Sequence, residues 1–193
     1  MLPTSDLIIK PFISQESWED WLAKHHASEK GIWLQFYKKK SGKPTVTYAQ
    51  ALEVALCYGW IDSQVKSLNE EAYIQKFTPR GSRSIWSKIN VGHIARLIKE
   101  GKMKPAGLAA VTVAKKDGRW EKAYDSPKNM TIPEDFVKEL SKHKRAETFF
   151  TTLTKTNRYA IAWRLQTAKK PETRARRMQA IIEMLEKGEK IHF

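Results

Sequence analysis

The chain has 193 residues, 41% hydrophobic and 29% charged, with 35 Lys and Arg against 21 Asp and Glu for a formal charge of +14. That length and apolar content, with seven Trp, six Tyr and seven Phe, suit one domain, or one domain with a small appendage, and exclude a disordered chain. No apolar run approaches about 18 residues, Met1 to Phe12 lacks an extended apolar stretch, and the single Cys57 supports neither an internal disulfide nor a Cys-rich zinc site; the expected address is a reducing cytoplasm, with no membrane span and no signal sequence.

Trp18, Trp21, Leu22 and His25 fall at i, i+3, i+4 and i+7 from Ser14 onward, which predicts an amphipathic helix ending near Gly31. IWLQFYK (32–38) reads as a strand and the lysine-rich KKKSGKP (38–44) as a turn. Thr47 and Gln50 have the spacing of a capping box, opening a helix that stops at Gly59. Strands are predicted around Ile61–Leu68 and Ala72–Phe77 as a hairpin, then a helix over about Ser87–Glu100 and another from Pro105 to Lys116. The non-periodic DGRWEKAYDSPKNM (117–130) reads as a linker. Beyond it the pattern is helical throughout. A second capping box is expected at Thr131–Glu134, with apolar stripes at Phe136/Val137/Leu140, Phe149/Phe150/Leu153 and Tyr159/Ala162/Trp163, and a last helix from Pro171 to Gly188.

The expected fold class is therefore α+β: a small antiparallel sheet with packed helices over 1–117, a linker at 118–130, and an all-helical module over 131–193. Both parts are basic, with 21 cations against 13 anions in 1–130 and 14 against 8 beyond. Between Lys76 and Lys104 eight cations face only Glu100, a field that attracts polyanions.

Familiar catalytic signatures are missing. The glycines never form a Rossmann or P-loop pattern, and no H-E-x-x-H or G-x-S-x-G occurs, so no catalytic set, cofactor or metal is expected. One cluster stands out between Cys57 and Asn90: Trp60, Asp62, Lys66, Thr78, Arg80, Arg83, Ser84, Trp86 and Asn90. Two indole faces with cations and hydroxyl or amide donors suit a planar or carboxylate-bearing anion. The plainer alternative makes the tryptophans core and Asp62–Arg80 an ion pair closing the hairpin. A second basic cluster, Lys169, Lys170, Arg174 and Arg177, opens the last helix against its macrodipole and suggests an accessory contact to an anionic partner.

The motifs CYGWID (57–62), FTPR (77–80), SIWSKIN (84–90), LIKEGKMKPAGL (97–108) and AKKPETRARR (168–177) resemble the YdeI/OmpD-associated, or bacteriocin-protection, family over about Trp18–Ile191. Residues 131–191 are similar to its OmdA-type helical module, and the first part resembles the YdhG/YjbR/CyaY-like α+β group. The resemblance implies a soluble bacterial protein linked to resistance against antimicrobial peptides or bacteriocins, with no established enzyme activity.

The leading reading is a non-enzymatic binding protein whose partner is an anionic ligand or an acidic protein surface, with nucleic acid among the alternatives. A nucleic-acid partner predicts affinity falling with salt at a log–log slope near roughly −0.9 per phosphate contact on duplex DNA. The rival reading is an enzyme acting on a small phosphorylated or carboxylated metabolite, with Arg80 and Lys66 holding the anion and Asp62 moving a proton. A third makes the chain an interaction module with exposed tryptophans.

Overall fold

In the computed structural model, which describes residues 7–191, the chain clusters into two compact units. One takes in the chain up to Trp86 together with Asn90–Lys122; the other takes in Ser87–Ile89 and the chain from Ala123 on. Met1–Asp6, part of the stretch read for a signal sequence, and the last two residues of the helical module lie outside the described range.

The chain through the first unit follows the order β1 (Ile9–Pro11), α1 (Gln15–His25), β2 (Ile32–Tyr37), a 3-10 turn (Lys39–Ser41), α2 (Tyr48–Cys57), β3 (Trp60–Ser67), β4 (Ala72–Pro79), α3 (Lys88–Lys99, which belongs to this unit from Asn90 on) and α4 (Pro105–Lys116). Helix α1 starts where its apolar stripe begins, because Ser14 and Ser17 satisfy each other's backbone N–H groups in a capping box. Its stripe buries Trp18, Trp21 and Leu22, and the Trp18 indole donates to the Ala51 carbonyl on α2 at 3.1 Å. The helix ends at His25, ahead of Gly31. The box at Thr47 and Gln50 forms as predicted and fixes the start of α2.

The sheet order is β1-β2-β4-β3, with β2/β4 and β4/β3 antiparallel. Strand β1, which the sequence did not indicate, adds to β2 in parallel, so the small antiparallel sheet is mixed at one edge. Only three residues long, exposed and ending in Pro11, β1 is too short to carry an alternation pattern. Two glycines allow the turn from sheet to helices. Gly59, at φ +74°, reverses the chain between α2 and β3. Gly107 lets α4 press against the end of α2, where a Cβ would stand 2.2 Å from the Cys57 carbonyl oxygen.

The second unit holds α5 (Glu134–Leu140), α6 (Lys144–Thr151), α7 (Lys155–Gln166) and α8 (Pro171–Glu186) around Phe136, Leu140, Ala146, Leu153, Ile161, Leu165, Ile181, Ile182 and Leu185. Each large side chain buried there contributes about 1.5–3 kcal/mol relative to exposure. The capping box expected at Thr131 does not form: α5 begins at Glu134, with Pro133 extended at its cap and no side-chain bond. Pro133 biases Ile132 toward extended backbone, which keeps Thr131 out of the cap position. Val137, expected in the apolar stripe, is half exposed.

The stretch read as a linker divides between the units. Trp120 packs on Trp86 in the first, with ring centroids 5.0 Å apart. Tyr124 bridges to Ser87 and meets Trp163 edge to face in the second, where Asp125 pairs with Lys88.

Candidate functional site

The cluster read from sequence separates into core, hairpin and loop. Trp60 belongs to the core: it is buried, its Nε1 donates to the His26 carbonyl at 3.1 Å, and it meets Trp21 edge to face. Asp62 does not close the hairpin on Arg80. Its Oδ2 accepts from the Tyr48 hydroxyl at 3.0 Å and from Gln75 Nε2 at 2.7 Å. Burial and the neighbouring Asp62 carboxylate push the Tyr48 phenol up, so it stays a donor. Lys66 pairs with Ile74, well away from the Thr78–Arg80 end, because beyond Asp62 the antiparallel strand runs away from that end and the bulge between Asp62 and Val65 returns it by only one residue; its ammonium lies 5.0 Å from the Trp33 ring centroid. Thr78 is a half-buried ladder residue opposite Ile61, and Asn90 is half-buried in the first turn of α3. Neither lines the cavity described next.

Arg80, Ser84 and Trp86 do come together. Arg80 leaves β4 with its backbone N–H held by the Gly59 carbonyl at 2.9 Å. The chain then turns through Gly81–Ser84, where the Ser84 hydroxyl accepts from the Gly81 amide. The Arg80 guanidinium stacks on the Trp86 ring at 3.6 Å and donates to the Ile85 carbonyl. Arg119, from the segment after α4, donates to the Ser84 carbonyl at 2.9 Å and through Nε to Asp117. Two guanidiniums thus clasp consecutive carbonyls of one loop and fix Trp86 beneath it, while Arg83 stays exposed on the same loop.

Arg80, Trp86 and Arg119 help line a cavity of about 290 Å³, which Arg83 and Ser84 do not reach. Ala109, Ala110 and Val113 of α4 form one apolar wall, Trp86 another, and Arg80, Arg119, Gly81 and Ser82 complete it. The Trp86 Nε1 is buried without a hydrogen-bond acceptor among the described residues. Gly107 sets the distance of α4, and with it the apolar wall. Sequence reading missed Arg119 and the α4 face. The available signal was the adjacent Arg119–Trp120 pair inside a stretch otherwise free of periodicity.

The second basic cluster is engaged within its own unit. Arg174 forms a two-pronged pair with Asp135, at 2.7–2.9 Å, and donates to the Leu165 carbonyl at 2.6 Å. Arg177 donates to the Arg164 carbonyl at 2.7 Å and to the Thr167 hydroxyl. Both arginines therefore satisfy carbonyls at the C-terminal end of α7, where the helix dipole favours cations, so the charge that looked unfavourable at the start of α8 is used one helix away. Lys169 and Lys170 remain exposed. Hydrogen bonds from Arg174 hold the Asp135 carboxyl below the usual carboxylate range.

Cys57 is buried, and burial pushes its thiol up to about 11, which suits a packing residue and not a nucleophile. Of the tryptophans, Trp18, Trp33, Trp60 and Trp86 are fully buried, which removes the expected display of exposed indoles. Among the described residues no three His, Cys, Asp or Glu gather as a metal site, and no helix is long and apolar enough to cross a membrane.

Against known proteins, a family model described as a domain of unknown function (DUF8412) matches residues 10–110, just over half of the chain. A second, described as "Bacteriocin-protection, YdeI or OmpD-Associated", matches residues 129–188. The match over the first unit is to DUF8412 and not to the YdhG/YjbR/CyaY-like group that the sequence resembles. No curated protein and no solved structure matches the chain.

Proposed function

We propose, for a chain that belongs to the DUF8412 family and carries a YdeI/OmpD-associated match toward its C-terminus, that it is a binding protein for a small anionic ligand with an apolar body, taken up in the cavity between Arg80, Trp86 and Arg119. The observation that carries this reading is the composition of that cavity. Its walls are apolar on the α4 side and aromatic on the other, and two arginines stand at its edge, each already oriented by a loop carbonyl. A guanidinium fixed in this way loses little entropy on meeting a carboxylate. The lining holds no carboxylate, imidazole or thiol to move a proton near neutral pH, which favours binding over turnover.

The name of the carboxy-terminal match points to bacteriocin protection. A chain of +14 repels cationic peptides at long range, so protection through this protein runs by way of an anionic partner and not by direct sequestration of the peptide.

Thermal denaturation of the full chain with phenylacetate and hexanoate, against their neutral amides, tests the reading. A ligand at 100 times its dissociation constant adds about 2.7 kcal/mol, a clear upward shift in Tm. Ala109→Trp, at an exposed position on α4, fills the cavity without disturbing the core and abolishes the shift. Equal shifts with acids and amides, or in the filled variant, overturn the proposal.

A further inference from the structure

A second cavity, of about 380 Å³, lies in the carboxy-terminal unit beside the start of α7. Three cations line it: Lys128 from the segment ahead of α5, and Lys155 and Arg158 from the first turn of α7. Tyr159 adds a phenol, and Met130 and Ile132 add apolar surface. No carboxylate is among the lining residues, and the first turn of α7 carries no acidic side chain. Three like charges therefore gather at the positive end of a helix dipole, a field that attracts an anion.

Arg158 is fixed before any ligand arrives. Its Nη2 donates to the Thr151 carbonyl at 2.6 Å, its guanidinium lies 5.4 Å from the centroid of the Phe150 ring, and its Nε is buried without an acceptor among the described residues. Lys128 and Lys155 are exposed and free to swing toward a ligand. Burial raises the Tyr159 phenol above its usual range, which keeps it a hydrogen-bond donor.

We infer that this cavity binds a phosphomonoester borne on a small apolar or aromatic body, with Lys128, Lys155 and Arg158 on the phosphate and Met130, Ile132 and Tyr159 on the body. A dianion matches three cations better than a carboxylate does, and the cavity has room for more than the phosphate. The site shares no residue with the Arg80–Trp86 cavity and does not depend on it.

The test is a titration of the ¹⁵N-labelled full chain with phenyl phosphate, inorganic phosphate and benzyl alcohol, followed at the backbone amides of Lys155–Arg158. Phenyl phosphate is expected to shift these amides saturably, inorganic phosphate more weakly, and benzyl alcohol not at all. Lys128→Gln and Lys155→Gln, both at exposed positions, are each expected to weaken phenyl phosphate about tenfold with an unchanged Tm, the loss of one charge-assisted contact. Ala109→Trp is expected to leave this binding unchanged. The inference is overturned if no saturable shift appears at the start of α7, if Lys155→Gln binds like the parent chain, or if inorganic phosphate binds as tightly as phenyl phosphate. If Ala109→Trp abolishes the binding, phenyl phosphate occupies the first cavity; this inference then fails while the first reading stands.

Discussion

Replacing Arg174 with methionine removes a guanidinium that ties α8 to both α5 and the end of α7, while keeping most of the alkyl stem. Two losses follow. The pair with Asp135 is partly open to water, with side-chain exposures of 28% and 52%, so after screening it is worth about 0.2–1 kcal/mol. The hydrogen bond to the Leu165 carbonyl, at 2.6 Å and partly buried, is charge-assisted and worth about 1.5 kcal/mol. Arg174→Met should therefore cost about 2 kcal/mol and Asp135→Asn about 0.2–1 kcal/mol, with the double variant no worse than Arg174→Met beyond a few tenths. Urea titration followed by far-UV circular dichroism reads all three as shifts in midpoint. The reasoning also fixes a pH dependence. Because Arg174 depresses the folded-state pKa of Asp135, the pair's stability is fully present above the ordinary carboxylate pKa of about 3.9 and is lost as pH falls through the lower folded value. The difference between parent and Asp135→Asn should be level near neutrality and vanish in acid. An Arg174→Met midpoint at the parent value, or an Asp135→Asn loss as large as that of Arg174→Met, refutes the reasoning.

Other substitutions bear on the first unit. Gly107→Ala places a Cβ 2.2 Å from the Cys57 carbonyl oxygen and 2.8 Å from Met103 Cε, and should cost about 1–3 kcal/mol or more in a thermal melt; a parental Tm contradicts the close approach of α4 to α2. Asp62→Ala leaves the buried Gln75 amide without its acceptor and should cost about 1–3 kcal/mol, while ligand-induced Tm shifts in the Arg80–Trp86 cavity persist; lost binding with retained stability would restore Asp62 to the site. Cys57, with its thiol raised to about 11, should react slowly with a disulfide reagent at pH 8 in the folded chain and rapidly in urea; prompt reaction of the folded chain would show an accessible thiolate.

Elements with a strong local signal were legible in the sequence. The Thr47–Gln50 box and the Trp18/Trp21/Leu22 stripe carry their geometry in residue spacing, and both form as read. Strand β1 carries no such signal, because three exposed residues gain their structure only from pairing with β2. Thr131 shows the opposite failure, a correct local motif overridden by the proline two positions on. At the site, Arg80 and Trp86 were legible because they are close in sequence and joined by a short turn. Lys66 was misplaced because each step along β3 beyond Asp62 leads away from the Thr78–Arg80 end of the antiparallel pair, and Lys66 ends opposite Ile74. Arg119 was missed because it reaches the Ser84 carbonyl from 35 residues away, and long-range contacts of a non-periodic segment leave no periodic trace. Arg174 and Arg177 looked like a binding patch for a related reason: the carbonyls they satisfy lie on the preceding helix.

The central claim, a ligand held against Trp86, is tested most directly at Trp86 itself. Its indole N–H gives a separate ¹H–¹⁵N resonance, assigned by comparison with Trp86→Phe, and its ring forms one wall of the cavity. On titration with phenylacetate the account expects a saturable shift of that resonance, absent in Ala109→Trp and absent with phenylacetamide. A Trp86 resonance that stays in place while the other indoles stay or move would contradict it.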